Sequence, residues 1–482
     1  MIENSLNQNT WLSTKCLIGL VAILPLHGCS GDDVDTSGLD HTGEVIETGE
    51  TSTPSGSVLR LANGVPSNFL IVSVDTLRAD FTYGGIEDHS TPFLQELMAD
   101  ALVLQEHVSC SNWTVVSLYC ILTGRSTEQI GIHPFSNEMR RLPEGEVTMA
   151  ELFQQSGRDT SLLSANPLFT ESLGLTQGFA SVQVEVNESA TTMTTKGLEL
   201  VEQHMASNSG AGWFSQIHYY DPHGGYHPPS EFLGDMSDLP SIPYDITTND
   251  GLRLLREAEK DLTVEERGLI HEHLTRSYGG EVRYLDYELK RLFSGLDSMG
   301  ALDDTLVLFV SDHGEQLLEH GAVEHLRDLF REELHVPAFF WMKDQGLAPG
   351  VWSGVTSHQD LLPSVLSLFD LIDSDIDFDG DVVGYASPER VNIALHGVKM
   401  GSAVFGRLGE HELIYRWDGD LELYNLTSDP GGLVNLFDPS DLSIVDQIWP
   451  FVSASANALS NMGGLSPPAV PPVYHRGVLE SP

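Results

Sequence analysis

Four side chains could act together on one substrate atom: the carboxylates of Asp75 and Asp312, the imidazole of His313 and the hydroxyl of Thr114. Thr114 opens the stretch Thr-Val-Val-Ser-Leu-Tyr-Cys-Ile-Leu-Thr123, whose pattern predicts a helix. Asp75 closes the apolar run Asn68-Phe-Leu-Ile-Val-Ser-Val74, and Asp312-His313 follow Thr305-Leu-Val-Leu-Phe-Val-Ser311. In open α/β sheets, ligands gather beyond the carboxyl ends of the strands. Two strand ends would therefore deliver two carboxylates and an imidazole to one sheet edge, where a divalent cation could meet a nucleophile. A free threonine hydroxyl is a poor nucleophile near neutral pH, and such a cation would stabilise its alkoxide and neutralise a substrate oxyanion. N–H groups at a helix start would favour an anionic phosphoryl or sulfuryl group in the same place. Taken singly, each Asp serves equally well as a turn cap, and Thr114 as a helix N-cap.

The elements that must position these groups alternate from Ser67 onward between short β-branched runs and longer amphipathic segments. That is the pattern of an α/β fold, a mostly parallel sheet with helices on both faces. Strands are expected over residues 68–74, 103–108, 160–164, 213–219 and 305–310. Thr91 is expected to cap a helix with Pro92 in its first turn and Leu94, Leu97, Met98 and Leu102 on its buried stripe. A long amphipathic helix fits 264–296, with an interruption expected at Gly279-Gly280, and Asp360 is expected to cap a helix over 361–368. After Leu371 the segments shorten, and 412–417 and 421–426 read as an antiparallel hairpin around Asp418-Gly419-Asp420.

The ends are of different character. Cys16 to Gly28 is a short apolar run after Lys15, as in an export signal, and Leu26-His27-Gly28-Cys29 is similar to a bacterial lipoprotein box. Export to the bacterial cell envelope is the expectation, with the protein attached to a membrane through a lipidated Cys29 or, after ordinary cleavage, free in the periplasm. Residues 30–66 are acidic and rich in Gly, Ser and Thr, a tether with a reach of about 30–35 Å. The expected division is thus 1–29 signal and lipobox, 30–66 linker, 67–371 catalytic domain, 372–440 small C-terminal subdomain and 441–482 tail. The formal charge of −46, from 70 Asp plus Glu against 24 Lys plus Arg, would repel a nucleic-acid backbone, so no nucleic-acid partner is expected. With Cys16 removed and Cys29 acylated, only Cys110 and Cys120 remain. Export permits a disulfide between them, but two buried free thiols are the favoured expectation, because a helix should separate Cys120 from the strand end.

Ordered segments over Ser67 to Leu436 carry a family likeness: VSVDTLRAD, STPFLQELMADALVLQEHVS, SNWTVVSLYCILTGR, DPHGGYHPP, VRYLDYELKRLFSGL, SDHGEQLLEHG, FREELHVPAFFW, SHQDLLPSVLSLF and LELYNLTSDPGGLVNL. The chain resembles the sulfatase family of the alkaline-phosphatase superfamily. The resemblance implies an alkaline-phosphatase-like sheet with a small antiparallel C-terminal subdomain, and Asp75, Asp312 and His313 as metal ligands with Thr114 close by. Sulfatases of the formylglycine type carry Cys-x-Pro-Ser-Arg where this chain has Thr114-Val-Val-Ser-Leu118, so no formylglycine should form. Phosphodiesterase and phosphotransferase branches use an unmodified threonine there. His223 matches a histidine that contacts substrate or leaving group in relatives, and His325 falls where several place a lysine. Either would suit protonation of a leaving alkoxide. Asp75-Thr76 replaces a pair of carboxylates, and His313 moves the set from all-oxygen calcium coordination toward zinc or manganese, with calcium the alternative.

Asp221, His227 and His358 are candidates for a second metal that their spacing does not establish. His218, His320, Arg125 and Glu315 are read as structural. Leu118 and Ile130 replace an arginine and a histidine of relatives, removing polar groups. Three functions follow: a metal-dependent hydrolase of anionic sulfate or phosphate esters, a transferase passing the same group to a lipid or glycan hydroxyl, or a weakened binding lipoprotein.

Overall fold

The computed structural model describes residues 59–438, apart from 84–90, 131–140, 208–209, 374–375, 385–391, 397–402, 409 and 417–420. The expected export segment, Cys29, residues 30–58, the expected turn at 418–420 and residues 439–482 lie outside the described residues. Among the described residues the strands are, in chain order, β1 Asn68–Val74, β2 Ala101–Val108, β3 Asp159–Ser164, β4 Ser181–Val184, β5 Trp213–Tyr219, β6 Thr305–Ser311, β7 Gln316–Leu317, β8 Val323–Glu324, β9 Ala338–Trp341, β10 Gly350–Ser357, β11 Asn392–His396, β12 Ala403–Leu408, β13 His411–Arg416 and β14 Leu421–Asn425. Eight of them form one sheet in the order β10-β2-β9-β6-β1-β5-β3-β4. Every pairing in it is parallel except those of β9 with β2 and β6.

The central strand β1 is apolar at Phe69 to Val72 and at Val74 because both of its faces are covered. Leu70, Val72 and Val74 enter one core with Leu285 and Leu289 of the helix Val264–Ser298. Phe69 and Ile71 point the other way, to a core built around Phe153, Phe214 and the helix Thr114–Thr123. Phe69 stacks on Phe153 at 5.2 Å and on Phe214 at 5.1 Å between ring centroids. Each such side chain taken out of water contributes about 1.5–3 kcal/mol. With β1 pinned on both faces, Asp75 at its end has little freedom.

Several local expectations are corrected by contacts distant in sequence. The helix Val264–Ser298 runs unbroken through Gly279-Gly280. A Cβ on Gly280 would lie 2.7 Å from the Pro228 ring, so the glycine admits the neighbouring segment rather than ending the helix. Thr91 holds the N-cap position of the helix Pro92–Ala99 but makes no side-chain cap bond: its hydroxyl donates to Thr82 O, while Phe93 N–H and Leu94 N–H donate to the carboxylate of Asp286 at 3.1 and 2.8 Å. Asp360 accepts from the N–H groups of Ser357 and Asp381, so it closes the turn before Leu361–Leu368 and makes no side-chain cap to that helix. Residues 59–62, expected to belong to the linker, make contacts with the domain. Leu59 is buried, and Ala62 N–H and Ala348 N–H exchange hydrogen bonds with Gly346 O and Arg60 O, docking residues 59–62 on the domain.

The C-terminal subdomain is a four-stranded antiparallel sheet, β11-β12-β13-β14, of which the expected hairpin is the last pair. Ala403, Phe405, Ile414 and Tyr424 pack on Val108, Leu329 and Leu334. Glu412 joins it further, accepting from Arg331 at 2.7 Å and Arg407 at 2.8 Å. Among the described residues no helix is long and apolar enough to cross a membrane.

Candidate active site

Asp75, Asp312 and His313 converge at the carboxyl ends of β1 and β6, their ligating atoms all within 4.8 Å of one another and all three side chains buried. In each, one polar atom is engaged and the other faces the common centre. Asp75 Oδ2 accepts from Asn166 Nδ2 at 2.6 Å, leaving Oδ1 without a hydrogen bond. Asp312 Oδ1 accepts from Thr76 N–H at 3.1 Å and His313 N–H at 2.7 Å, leaving Oδ2 without one. His313 Nδ1 lies 2.9 Å from Gly314 O, which assigns the ring proton to Nδ1 and a lone pair to Nε2. That Nε2 is 3.8 Å from Asp75 Oδ1 and 3.7 Å from Asp312 Oδ2.

Two orphaned carboxylate oxygens and an imidazole lone pair in a buried site fit a divalent cation, since buried polar atoms otherwise find partners. Burial works against charge on both carboxylates. The imidazoles of His223, His218 and His313 nonetheless hold Asp75 below the usual carboxylate range, whereas burial and the Asp75 charge push Asp312 up to about 7. Like charges this close share a proton or require a cation between them.

Thr114 is the first residue of its helix, and its Oγ1 lies 3.2 Å from His313 Nε2. The hydroxyl makes no N-cap bond; Trp113 holds the N-cap position. Cys110 and Cys120 are joined, S–S 2.07 Å and Cα to Cα 6.7 Å, which corrects the expectation of two free thiols. Only five residues separate the end of β2 from the helix, so its second turn folds back beside Cys110. Ser109 Oγ then contacts Asp312 O at 2.6 Å, and His358 Nε2 reaches the same carbonyl at 2.8 Å, with His107 Nε2 behind it at 3.0 Å from His358 Nδ1.

His223 and His325 meet edge-on, 5.0 Å between ring centroids, and His325 is 4.5 Å from the His313 ring. Tyr220 stacks on His223 at 4.4 Å. Glu315, read from the sequence as structural, lies with Oε1 2.9 Å from His325 Nδ1. Burial pushes Glu315 up to about 7 and His325 down to about 4, both shifts favouring an uncharged pair. The second-metal candidates do not join the cluster. The Asp221 carboxylate accepts from Ala190 N–H, His358 serves the Asp312 carbonyl, and the backbone N–H of His227 donates to Glu281. Leu118 and Ile130 are packed in the apolar core. Arg125, just beyond the helix Thr114–Thr123, pairs with Asp377 at 2.6 Å.

Asn166 was missed by the sequence reading, although the strand-end rule that selected Asp75 and Asp312 also points to it, two residues past β3. His107 and Ser109 carry no local signal.

Fold and site together define an α/β protein with an alkaline-phosphatase-like, mainly parallel sheet. The Sulfatase family model matches residues 67–371, and the chain belongs to that family. It is 25% identical over 194 residues to choline-sulfatase of Rhizobium meliloti (strain 1021), covering 39% of this chain and 37% of that one. It is 33% identical over 105 residues to phosphatidylethanolamine transferase Mcr-1 of Escherichia coli, covering 21% and 19%. These alignments span well under two thirds of either relative. Among solved structures, BT4656 in complex with its substrate D-glucosamine-2-N,6-O-disulfate aligns with a TM-score of 0.66 at 17% identity, over 84% of this chain and 99% of that one. The phosphonate monoester hydrolase of Agrobacterium radiobacter aligns with a TM-score of 0.63 at 17% identity, over 83% and 96%. Those two likenesses are of fold.

Proposed function

We propose that the protein is a metal-dependent hydrolase of phosphoric or sulfuric esters that uses Thr114 as its nucleophile. The observation that carries this reading is the position of Thr114 Oγ1, at a helix start and 3.2 Å from the ring nitrogen of His313 that faces the donor cluster. Asp75, Asp312 and His313 would hold a divalent ion, and their mixed oxygen and nitrogen donors suit zinc or manganese better than calcium. Such an ion, when bound, would supply Lewis-acid stabilisation of negative charge on oxygen.

Thr114 Oγ, having released its proton to solvent, forms a bond to phosphorus or sulfur as the bond to the ester oxygen breaks. His223, or the hydrogen-bonded pair of His325 and a protonated Glu315 acting through the His325 ring, gives a proton to the departing alkoxide. Water then displaces Thr114, one proton returning to Oγ and the other to the imidazole. A threonine ester must be cleared by this second displacement, which favours phosphoryl over sulfuryl substrates. Passing the group to a lipid or glycan hydroxyl in place of water is the second reading, and the partial match to a phosphatidylethanolamine transferase favours it specifically. Export and lipid attachment through Cys29 belong to the same proposal.

The test is turnover of an aryl sulfate, a phosphate monoester, a phosphodiester and a phosphonate monoester by zinc- or manganese-supplemented protein, with Thr114→Ala as control. Activity on one ester that is lost in the variant is the expected result, and an unchanged rate rejects Thr114. Adding an alcohol acceptor and identifying the product separates hydrolysis from transfer.

A further inference from the structure

The segment from Glu332 to Val336 is stitched to the loops on either side of it. Gly314 N–H donates to Glu333 O and Glu315 N–H to Glu332 O, both at 2.8 Å. A Cβ at Gly314 would lie 2.0 Å from Glu332 O, so only glycine allows this approach. On the opposite side Ser109 N–H donates to Leu334 O at 2.8 Å and Val336 N–H to His107 O at 3.2 Å. The segment thereby lies between the loop that carries His313 and the loop that leads to Thr114.

From it Glu333 projects a side chain with no solvent exposure, 0%. Its Oε2 accepts from Asn112 Nδ2 at 2.7 Å and from Arg327 N–H at 3.4 Å. Its Oε1 accepts from Asp328 N–H at 3.0 Å and from Gln316 Nε2. Asn112 stands two residues before Thr114, Gln316 three after His313, and Arg327 two after His325. Asn112 Nδ2 also donates to Asp328 O at 2.7 Å, linking the nucleophile loop to the His325 loop a second time.

We propose that Glu333 is a positioning residue of the reaction centre, its buried carboxyl group holding the Thr114, His313 and His325 loops in one mutual register. The proposal rests on the reading of Thr114, His313 and His325 given above. Other contacts join these loops two at a time, Asn112 to Asp328 O, His325 to Glu315 and β7 to β8, whereas the Glu333 carboxyl group is bonded to all three loops at once. Removing the carboxyl group leaves up to four buried N–H donors without that partner, and they relax independently. A shift on the order of 1 Å between nucleophile and proton donor costs roughly a hundredfold in rate.

The test uses the full chain as Glu333→Ala, Asn112→Ala, Gln316→Ala and the double variant Asn112→Ala/Gln316→Ala. The readouts are kcat and KM on the ester of the panel turned over fastest, the thermal midpoint, and amide hydrogen exchange. Glu333→Ala should lower kcat roughly tenfold to a hundredfold with KM changed by less than about threefold. Exchange should quicken together over 109–118 and 323–329. Asn112→Ala and Gln316→Ala should each lower kcat, with effects that do not add in the double variant, because both act through one carboxyl group. If Glu333→Ala does not fold, the Asn112/Gln316 cycle decides alone. Strictly additive effects, quickened exchange in one stretch only, or a lowered midpoint with kcat unchanged would overturn the proposal. Should Thr114→Ala keep the wild-type rate, the reading of Thr114 as nucleophile fails, while the exchange pattern still decides the role of Glu333.

Discussion

Asn166 Nδ2 lies 2.6 Å from Asp75 Oδ2 and so turns Oδ1, the other oxygen of that carboxylate, toward His313 and Asp312. An amide beyond β3 thus orients a carboxylate beyond β1. Outer contacts of this kind tune metal affinity by roughly 10–100-fold. Asn166→Ala should weaken zinc binding by about that factor in a calorimetric titration, with the fold intact by circular dichroism. Unchanged affinity would remove Asp75 from the proposed ligand set.

Thr114 should carry the transferred group during turnover. Acid quench of the working enzyme, followed by mass spectrometry of the peptide containing Thr114, should show a phosphoryl or sulfuryl ester on that residue. Thr114→Ser should retain part of the activity, and Thr114→Ala should lose at least roughly a thousandfold. A modified residue elsewhere in the peptide would point to a different nucleophile.

The bond between Cys110 and Cys120 closes a loop with a sequence separation of 10 that contains Thr114. By loop-closure entropy such a link contributes about 2–3 kcal/mol. The double variant Cys110→Ala/Cys120→Ala should unfold in urea with a stability lower by that amount. Reductant should then have no further effect on it, since no link remains to break.

Glu281 predicts a pH dependence remote from the reaction centre. Burial first, and the Asp221 charge second, push this carboxyl up to about 8, although its Oε1 accepts from His227 N–H at 2.6 Å. Its folded pKa thus exceeds the unfolded value, so the folded chain holds the proton longer. Stability must fall as pH rises from near the ordinary Glu value to about 8. Glu281→Gln keeps an acceptor for His227 N–H and has no charge to bury. Its melting temperature should exceed that of the wild type at pH 9, by on the order of a few kcal/mol in stability, and the difference should vanish near pH 5. A pH-independent difference would contradict the shift.

Much of this protein is legible locally, because strand ends and helix starts are local events. β1 and β5 occupy 68–74 and 213–219 as their apolar runs require. The residues just past β1 and β6, and the first residue of the helix after β2, follow from the same patterning. Family motifs at those points supply the order in which they meet.

Contacts between distant segments decided the rest. The helix Pro92–Ala99 is capped by a carboxylate 193 residues from Phe93, since its N–H groups donate to whichever buried acceptor packing delivers. The glycines at 279 and 280 leave their helix unbroken, and at 280 the missing Cβ makes room for Pro228. Cys110 and Cys120 pair because a short loop turns the helix back on its strand. Asn166, His358 and Glu333 join the site through side chains and carbonyls that no periodicity records. Hydropathy and turn chemistry set which elements form, but the mutual placement of loops depends on hydrogen bonds between residues far apart in the chain, and that placement is where the proposed chemistry resides.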